Sequence, residues 1–494
     1  MKNVDPTSED VKILEAFNYK QELKRSLKLF SSFAVAFSFI SITTGIFTNY
    51  QFVIQTGGPA GIWSWAITVA GQLLVAFIFA ELAGIIPVSG YSYQWMKRLS
   101  TPFVSWMTGW ISFCFLILVI PAVNWGLAPV LAGLLDITIS DRNIMIIVMC
   151  TITLQVVLNI IGVKIATILN NGAVFTETIG IIGLTIFLIV AAVNSDADPS
   201  ILLSTGNAPE GMSYIAPFIM TMLMGSFTLV GFEAAANLSE ETVNASKTVP
   251  KAIIASVAVS GIFGMFFLLA ATLAIPDLDA ALISNNPLPY IIETTLGNVL
   301  GKSFLVLVAV SIFACGLVIT TSAGRLIYAM SRDDAFFFSE YFKRISTTSN
   351  SPVAATLLIL VLCLISTYFA ESLTLLVSAT AVLPALIYLI TIISYGLVRK
   401  NVEFSAGTFS LGRFAKPVFF FAVVWLILEI GILTIPEDFH SATIVSGFIV
   451  TVGVICYFLL FKGKNGQEGT IQTDSTSSGP LLPGVAVDRS ESDA

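Results

Sequence analysis

Four glutamates fall within or at the ends of long apolar runs: Glu81, Glu177, Glu233 and Glu429. No lysine or arginine lies deep in any of these runs to pair with them. A carboxylate held away from water without a counter-charge either takes up a proton or waits for a cation. Reversible protonation and contact with an amine are therefore the chemistries on offer. Two short stretches stand beside these acids. SFISITTGIFTN carries Ser41, Thr43, Thr44 and Gly45, and GSFTLVGFEAAANLSEE carries Gly225, Ser226, Gly231 and Glu233. Small and hydroxylated residues in an apolar run are where a helix can open and expose unpaired N–H and C=O groups. The alternative is a pair of kinked helices whose Gly and Ser serve close packing. Other chemistries lack material. The single histidine, His440, leaves almost no raw material for His-based metal centres, Ser-His-Asp triads or haem ligation. The five cysteines (Cys114, Cys150, Cys315, Cys363 and Cys456) lie in apolar runs without a CxxC and read as buried structural thiols.

The elements that carry these residues follow from composition. Of 494 residues, 56% are hydrophobic and 11% charged, too few charges to cover the surface of a soluble protein of this length. Twelve apolar spans are expected, at about 29–54, 60–86, 103–134, 143–162, 168–193, 213–238, 249–275, 299–329, 353–370, 373–398, 414–435 and 441–461. Each can cross a hydrocarbon core of about 30 Å as a helix. Residues 1–28 are polar and mixed in charge, with no signal-peptide pattern, and 465–494 read as a disordered cytoplasmic tail rich in Gly, Ser, Thr and Asp. With the N-terminus in the cytoplasm, 22 of the 24 Lys and Arg fall on the cytoplasmic side; only Arg142 and Lys302 lie outside. That asymmetry places both termini in the cytoplasm of a cell with a multi-pass protein in its cytoplasmic membrane. The interrupted spans are the first and the sixth. A five-helix unit makes an odd number of crossings, so a second copy enters from the opposite side, and 29–193 and 213–398 read as two inverted repeats with 414–461 appended.

Three motifs then give the chain a likeness. ELAGIIPVSGYSYQW (Glu81, Pro87, Gly90, Tyr91, Tyr93, Trp95), GFEAAANLSEETVNASKTVPKAI (Gly231 to Ile253) and TTSAGRLIYAMSRDDAFF agree in order and spacing with the amino acid–polyamine–organocation superfamily. The resemblance covers about residues 25–460, and the TTGI form of the first break looks most like the branch of GABA permeases and amino acid/choline transporters. It implies an all-α integral membrane fold of 12 transmembrane helices, a leucine-transporter-type 5+5 inverted repeat with helices 1 and 6 broken. It also implies secondary active transport of amino acids or related amines by alternating access, with no cofactor beyond a coupling proton or sodium ion, no nucleic-acid partner and no enzymatic reaction.

Under that resemblance, Ile42, Thr43, Thr44, Gly45 and Ile46 form a turn facing the substrate carboxylate. Phe227, Val230, Gly231 and Phe232 supply carbonyls and an aromatic lid. Glu177, counted from Asn159, Gly162 and Lys164, falls where some proton-dependent relatives place a lysine that stands in for a sodium ion between helices one, five and eight. A carboxylate there departs from the family pattern. The expectation is that Glu177 cycles between neutral and ionised forms, with Thr321 and Ser322 lining its pocket; a neutral acid bonded to a neighbouring helix is the plainer alternative. Glu233, the family's GFE acid, suggests gating or an amine contact. Glu81 reads as a structural or gate contact, and Glu429, in the eleventh span, as structural. Asn124 and Trp125 either reach the cavity or join helices, and Arg325, Arg332 and Asp333 either pair at an inner gate or anchor the cytoplasmic end. Proton-coupled import is the leading reading, with an exchanger, a GABA, choline or polyamine carrier, and a nutrient sensor as rivals.

Overall fold

In hydrocarbon the backbone has no water to bond, so apolar runs of this length close their hydrogen bonds internally as helices. The computed structural model describes residues 25–209, 211–346, 351–369, 373–401 and 408–461, together with residues 10, 11, 14, 15, 21 and 349. The expected tail at 465–494 and much of 1–28 lie outside the described residues. The helices are α1 (Leu29–Ile40), α2 (Ile42–Gly57), α3 (Ser64–Ile85), α4 (Tyr91–Leu99), α5 (Pro102–Leu134), α6 (Asp141–Ile161) and α7 (Val163–Asn194). They continue with α8 (Ile215–Met220), α9 (Leu223–Thr228), α10 (Ala234–Asn237), α11 (Ala245–Leu273), α12 (Leu278–Ile283), α13 (Pro287–Leu296) and α14 (Asn298–Arg332). The last are α15 (Ser339–Phe342), α16 (Val353–Phe369), α17 (Leu373–Val398), α18 (Ala415–Thr434) and α19 (His440–Cys456).

Among the described residues, ten helical segments are long and apolar enough to cross a membrane. The other two expected spans depart from that form. The described part of the ninth is α16, 17 residues of the expected 353–370, and the sixth is divided among α8, α9 and α10, with Gly231 and its neighbours off the helical path. Burial ranks the rest. The first, third, eighth and tenth spans are 72–78% buried over their most apolar stretch, against 28% and 22% for the eleventh and twelfth. The bundle therefore has an enclosed inner set and an outer pair. Phe420, Phe421, Ile427, Leu428, Ile444 and Phe448 face outward from that pair, whereas Thr43, Asn124, Gln155, Glu177 and Glu233 are buried within. A lipid-facing exterior and a polar interior reverse the arrangement of a soluble core. Span two packs most extensively on span seven (α3 on α11), and span three on span eight (α5 on α14).

The reading of the cysteines needs one correction. Cys315 and Cys363 are buried, but Cys150 is exposed on α6. An apolar run in this molecule has a face turned to lipid, so an apolar neighbourhood does not imply burial.

Candidate functional site

Span one stops at Ile40 and resumes at Ile42, with Ser41 alone between the two halves at φ 39° and ψ 95°. A positive φ in a residue with a Cβ is a strained conformation, and here the side chain offsets the strain by capping the new helix. Ser41 Oγ accepts from the Thr44 N–H at 3.3 Å and from Thr44 Oγ1 at 2.7 Å, and the Ser41 carbonyl accepts from the Gly45 N–H at 3.1 Å. Ile46 lies a full turn inside α2, where helix geometry occupies its N–H. The expected carboxylate-facing turn of five residues thus narrows to Ile42 and Thr43.

The second break is wider. Residues 229–233 separate α9 from α10. Gly231 has φ +79°, and a Cβ there would stand 1.9 Å from Phe39 of α1. Reciprocally, a Cβ on Gly45 would stand 1.8 Å from Thr228 Oγ1. Each break therefore admits a side chain of the other, and only glycine leaves the room. Phe227, Val230 and Phe232 are all buried at this junction. Phe232 is not a free lid: it packs edge-on against Phe79 and beside Tyr388, with centroids 5.7 and 5.2 Å away. The Gly231 carbonyl is taken by the Ala234 N–H.

Glu177, on α7, reaches the first break. One carboxyl oxygen receives Ser41 Oγ at 3.1 Å, the Thr43 N–H at 3.3 Å and Thr43 Oγ1 at 3.1 Å. The chain's own carboxyl thus sits on the opened helix end that was assigned to substrate, in a position favoured by the helix dipole. Span eight faces it through Leu307, Val308 and Ser311, with Cys315 next along the helix. Thr321 and Ser322, expected in this pocket, are elsewhere. Thr321 Oγ1 donates to Asn159 Oδ1 at 2.5 Å, and the Ser322 carbonyl accepts from Asn237 Nδ2 at 3.3 Å. The helix α14 runs unbroken for 35 residues, and Thr321 lies six residues, about 9 Å, beyond Cys315 along it.

Each remaining acid has a defined partner set. Tyr388 Oη donates to Glu233 Oε2 at 2.7 Å and accepts from the Gly231 N–H at 2.9 Å, linking the sixth-span break to span ten. Arg399 grips Glu81 through both oxygens, at 2.6 and 3.0 Å, and the Leu411 N–H adds a bond at 2.6 Å. Gln72 Nε2 donates to both oxygens of Glu429, at 2.8 and 3.1 Å. Asn124 pairs reciprocally with Gln155 at 3.0 and 3.1 Å, the helix-joining role, while Trp125 lines a cavity.

That cavity, of about 170 Å³, lies among Phe47, Gln51, Trp125, Asp141, Asn286 and Leu373, at the acidic-loop side of the bundle. The opposite end is closed by charge. Arg325 pairs with Glu241 at 2.9 Å, Arg332 with Glu240 at 3.5 Å, and Lys97 with Asp333 at 3.0 Å. Burial is the largest influence on the Glu240 carboxyl and raises it above its ordinary value despite Arg332. Two described residues from the start of the chain, Asp10 and Arg25, bond to this end. Arg25 Nη1 donates to the Ser239 and Thr242 carbonyls at 3.0 and 2.6 Å, and Asp10 accepts from the Asn244 N–H at 2.9 Å.

Residues 27–460 match the sequence profile of a single family, described as amino acid permease. The chain belongs to the amino acid permease family. It is a multi-pass membrane transporter, not an enzyme, built to handle a small-molecule substrate. Among its relatives is the amino-acid permease BAT1 of Arabidopsis thaliana, 28% identical over 93% of this chain and 95% of the relative. The BAT1 homolog of Oryza sativa is 29% identical, over 86% and 88%. A Schizosaccharomyces pombe protein named an uncharacterized amino-acid permease is 25% identical, over 88% and 81%. Several residues of this permease's site carried no sequence signal: Tyr388, Gln72 and Arg25 become visible only when distant spans meet.

Proposed function

We propose that the chain is a proton-coupled importer of amino acids or related amines, working by alternating access in the cytoplasmic membrane. Both termini lie in the cytoplasm and the chain makes twelve crossings. The observation that carries the reading is the Glu177 carboxyl bonded to the broken turn at Ser41 and Thr43. A carboxyl that occupies the opened helix end must loosen its hold before a substrate carboxylate can use the same N–H groups. Protonation supplies that loosening, since a neutral carboxyl is a weaker acceptor than an ionised one. Proton binding at Glu177 and carboxylate binding at Ile42 and Thr43 are then coupled.

The inverted repeat is supported by packing. Spans two and seven, and three and eight, are partners five apart, and the breaks in spans one and six interlock in the same way. A cavity at the acidic-loop end and an ion-paired seal at the Lys/Arg-rich end suit a carrier closed toward the cytoplasm. Arg325, Arg332 and Asp333 act there as the inner gate, and Glu233 with Tyr388 holds the sixth-span break to span ten. Thr321 and Ser322 belong to the cytoplasmic half of span eight rather than to the coupling pocket.

One observation favours a second reading. With Glu177 resident at the helix end, an amine without a carboxylate binds with no competitor, so an amine carrier or an amine/amino acid exchanger fits the same geometry. Uptake into proteoliposomes separates these. A labelled panel of amino acids and amines is offered with an inward proton gradient and, separately, with internal counter-substrate. Gradient-driven uptake of an amino acid, lost in Glu177→Gln while counterflow persists, is the expected result. Uptake only into preloaded vesicles makes the protein an exchanger, and full gradient-driven uptake by Glu177→Gln removes that residue from the coupling.

A further inference from the structure

The eleventh span lies outside the repeats, yet it carries a buried carboxyl that none of the transport steps above uses. Glu429 is 2% exposed. Gln72 of α3 donates to both of its oxygens, and Ser226 Oγ of α9 and Trp425 Nε1 of α18 lie beside it. Neither Ser226 Oγ nor Trp425 Nε1 closes a hydrogen bond of good geometry to it or to any other group, although both are buried. Trp425 is fixed in place: its ring lies where a Cβ on Gly71 would be, within 2.1 Å. No charged group faces the carboxyl among the described residues. The other titratable groups of the packed elements are turned away. On span ten, Tyr388 is bonded to Glu233 and Tyr395 to Glu81; on span two, Glu81 is held by Arg399; on span twelve, His440 bonds the Ile435 carbonyl and Tyr457 packs on Phe103.

Such a set can accommodate either form of the acid. An ionised carboxylate has donors from three helices in Gln72, Ser226 and Trp425. A neutral carboxyl carries an O–H that needs an acceptor: the Ser226 hydroxyl can turn from donor to acceptor by rotation, and Gln72, whose Oε1 has no other partner, by a flip of its amide. Ser226 stands one residue before Phe227 and three before the wide break at 229–233. We propose that Glu429 is a second proton-carrying site, and that Ser226 passes its protonation state to the break in the sixth span. The proton is taken from water and returned to it when movement of span six opens the carboxyl to solvent. No bond other than O–H is made or broken.

The proposal rests on the proton-driven reading above, and its test reads the carboxyl directly so that the two can fail separately. Full-length protein in liposomes is examined by infrared difference spectroscopy between acid and alkaline buffer. A carboxylic-acid C=O band that titrates in the wild type, vanishes in Glu429→Gln and shifts in Ser226→Ala is expected. Counterflow measured across pH should persist in Glu429→Gln with its pH dependence flattened. A wild-type spectrum with no band assignable to Glu429 overturns the proposal, even where uptake is gradient-driven. A Glu429 band indifferent to Ser226→Ala overturns the link to span six. A titrating, Ser226-sensitive band in a protein that exchanges but is not gradient-driven sustains this site and defeats the coupled-import reading instead. Should Glu429→Gln not fold, the band shift in Ser226→Ala carries the test alone.

Discussion

At the scale of single residues, the two breaks are held by what is missing from Gly45 and Gly231. A methyl at Gly45 would fall 1.8 Å from Thr228 Oγ1 and 2.5 Å from Thr228 Cβ. Neither half of span one can retreat, since both are enclosed by inner helices. Gly45→Ala should therefore destabilise the fold by roughly 1–3 kcal/mol, the usual cost of overpacking, and abolish uptake. Thr228→Ala should not rescue it, because the Cβ contact remains, whereas Thr228→Gly should recover part of the stability. Thermal denaturation of the purified variants measures both; a Gly45→Ala variant as stable as the parent would show that the breaks are not in contact. The same scale shows where sequence reading narrows. Ser41, Thr43 and Thr44 announce an interruption by composition, but which N–H groups remain free depends on the cap made by Ser41 and on Glu177, which is 136 residues away.

At the scale of elements, the four acids of the apolar runs separate by the helices they join. Glu81 ties the end of span two to Arg399 beyond span ten and to Ser410 and Leu411 before span eleven. Arg399 presents a fork to both carboxyl oxygens, a geometry that a lysine ammonium cannot reproduce. Removing one partner leaves the other buried or half-buried without compensation. Glu81→Gln should cost about 3 kcal/mol of stability, and Arg399→Lys should recover little of what Arg399→Ala loses, as chemical unfolding in detergent would record. Full recovery by lysine would reduce the pair to simple charge attraction. Element existence was legible in the sequence, as were the sites of interruption, since apolar length and small-residue clusters are local properties. Register between helices was not. Thr321 and Ser322 are expected in the Glu177 pocket by resemblance to the sodium-site hydroxyls of the fold, and the unbroken course of α14 carries them past it.

At the scale of the whole molecule, the two ends differ in kind: a cavity at one, interlocked charges joined by Asp10 and Arg25 at the other. Opening the ion-paired end would return Glu240 to water. Burial holds its carboxyl above the ordinary value of 4.5 in the closed form, so the closed form binds the proton more tightly. By linkage, this contribution to closure is complete below about 4.5 and is lost as pH rises through the raised value. Acid should therefore favour closure of the ion-paired end, and Glu240→Gln should remove that dependence. Labelling of a cysteine placed at Ser89, whose N–H bonds Glu240 at 3.2 Å, would follow it from that face, in a background freed of Cys150. Faster labelling on acidification would reverse the assignment.

The unequal breaks have a consequence for cargo. Ser41 is a joint of one residue: it can pivot, but it cannot lengthen. The five residues at 229–233 span about 7.5 Å if helical and roughly 17 Å if drawn out. A ligand gripped at one end by span one and at the other by span six is thus measured by a ruler with one fixed mark and one sliding mark. Tolerance for ligands of different length belongs to the sixth span, and shortening that loop, rather than altering Ser41, is the way to narrow it.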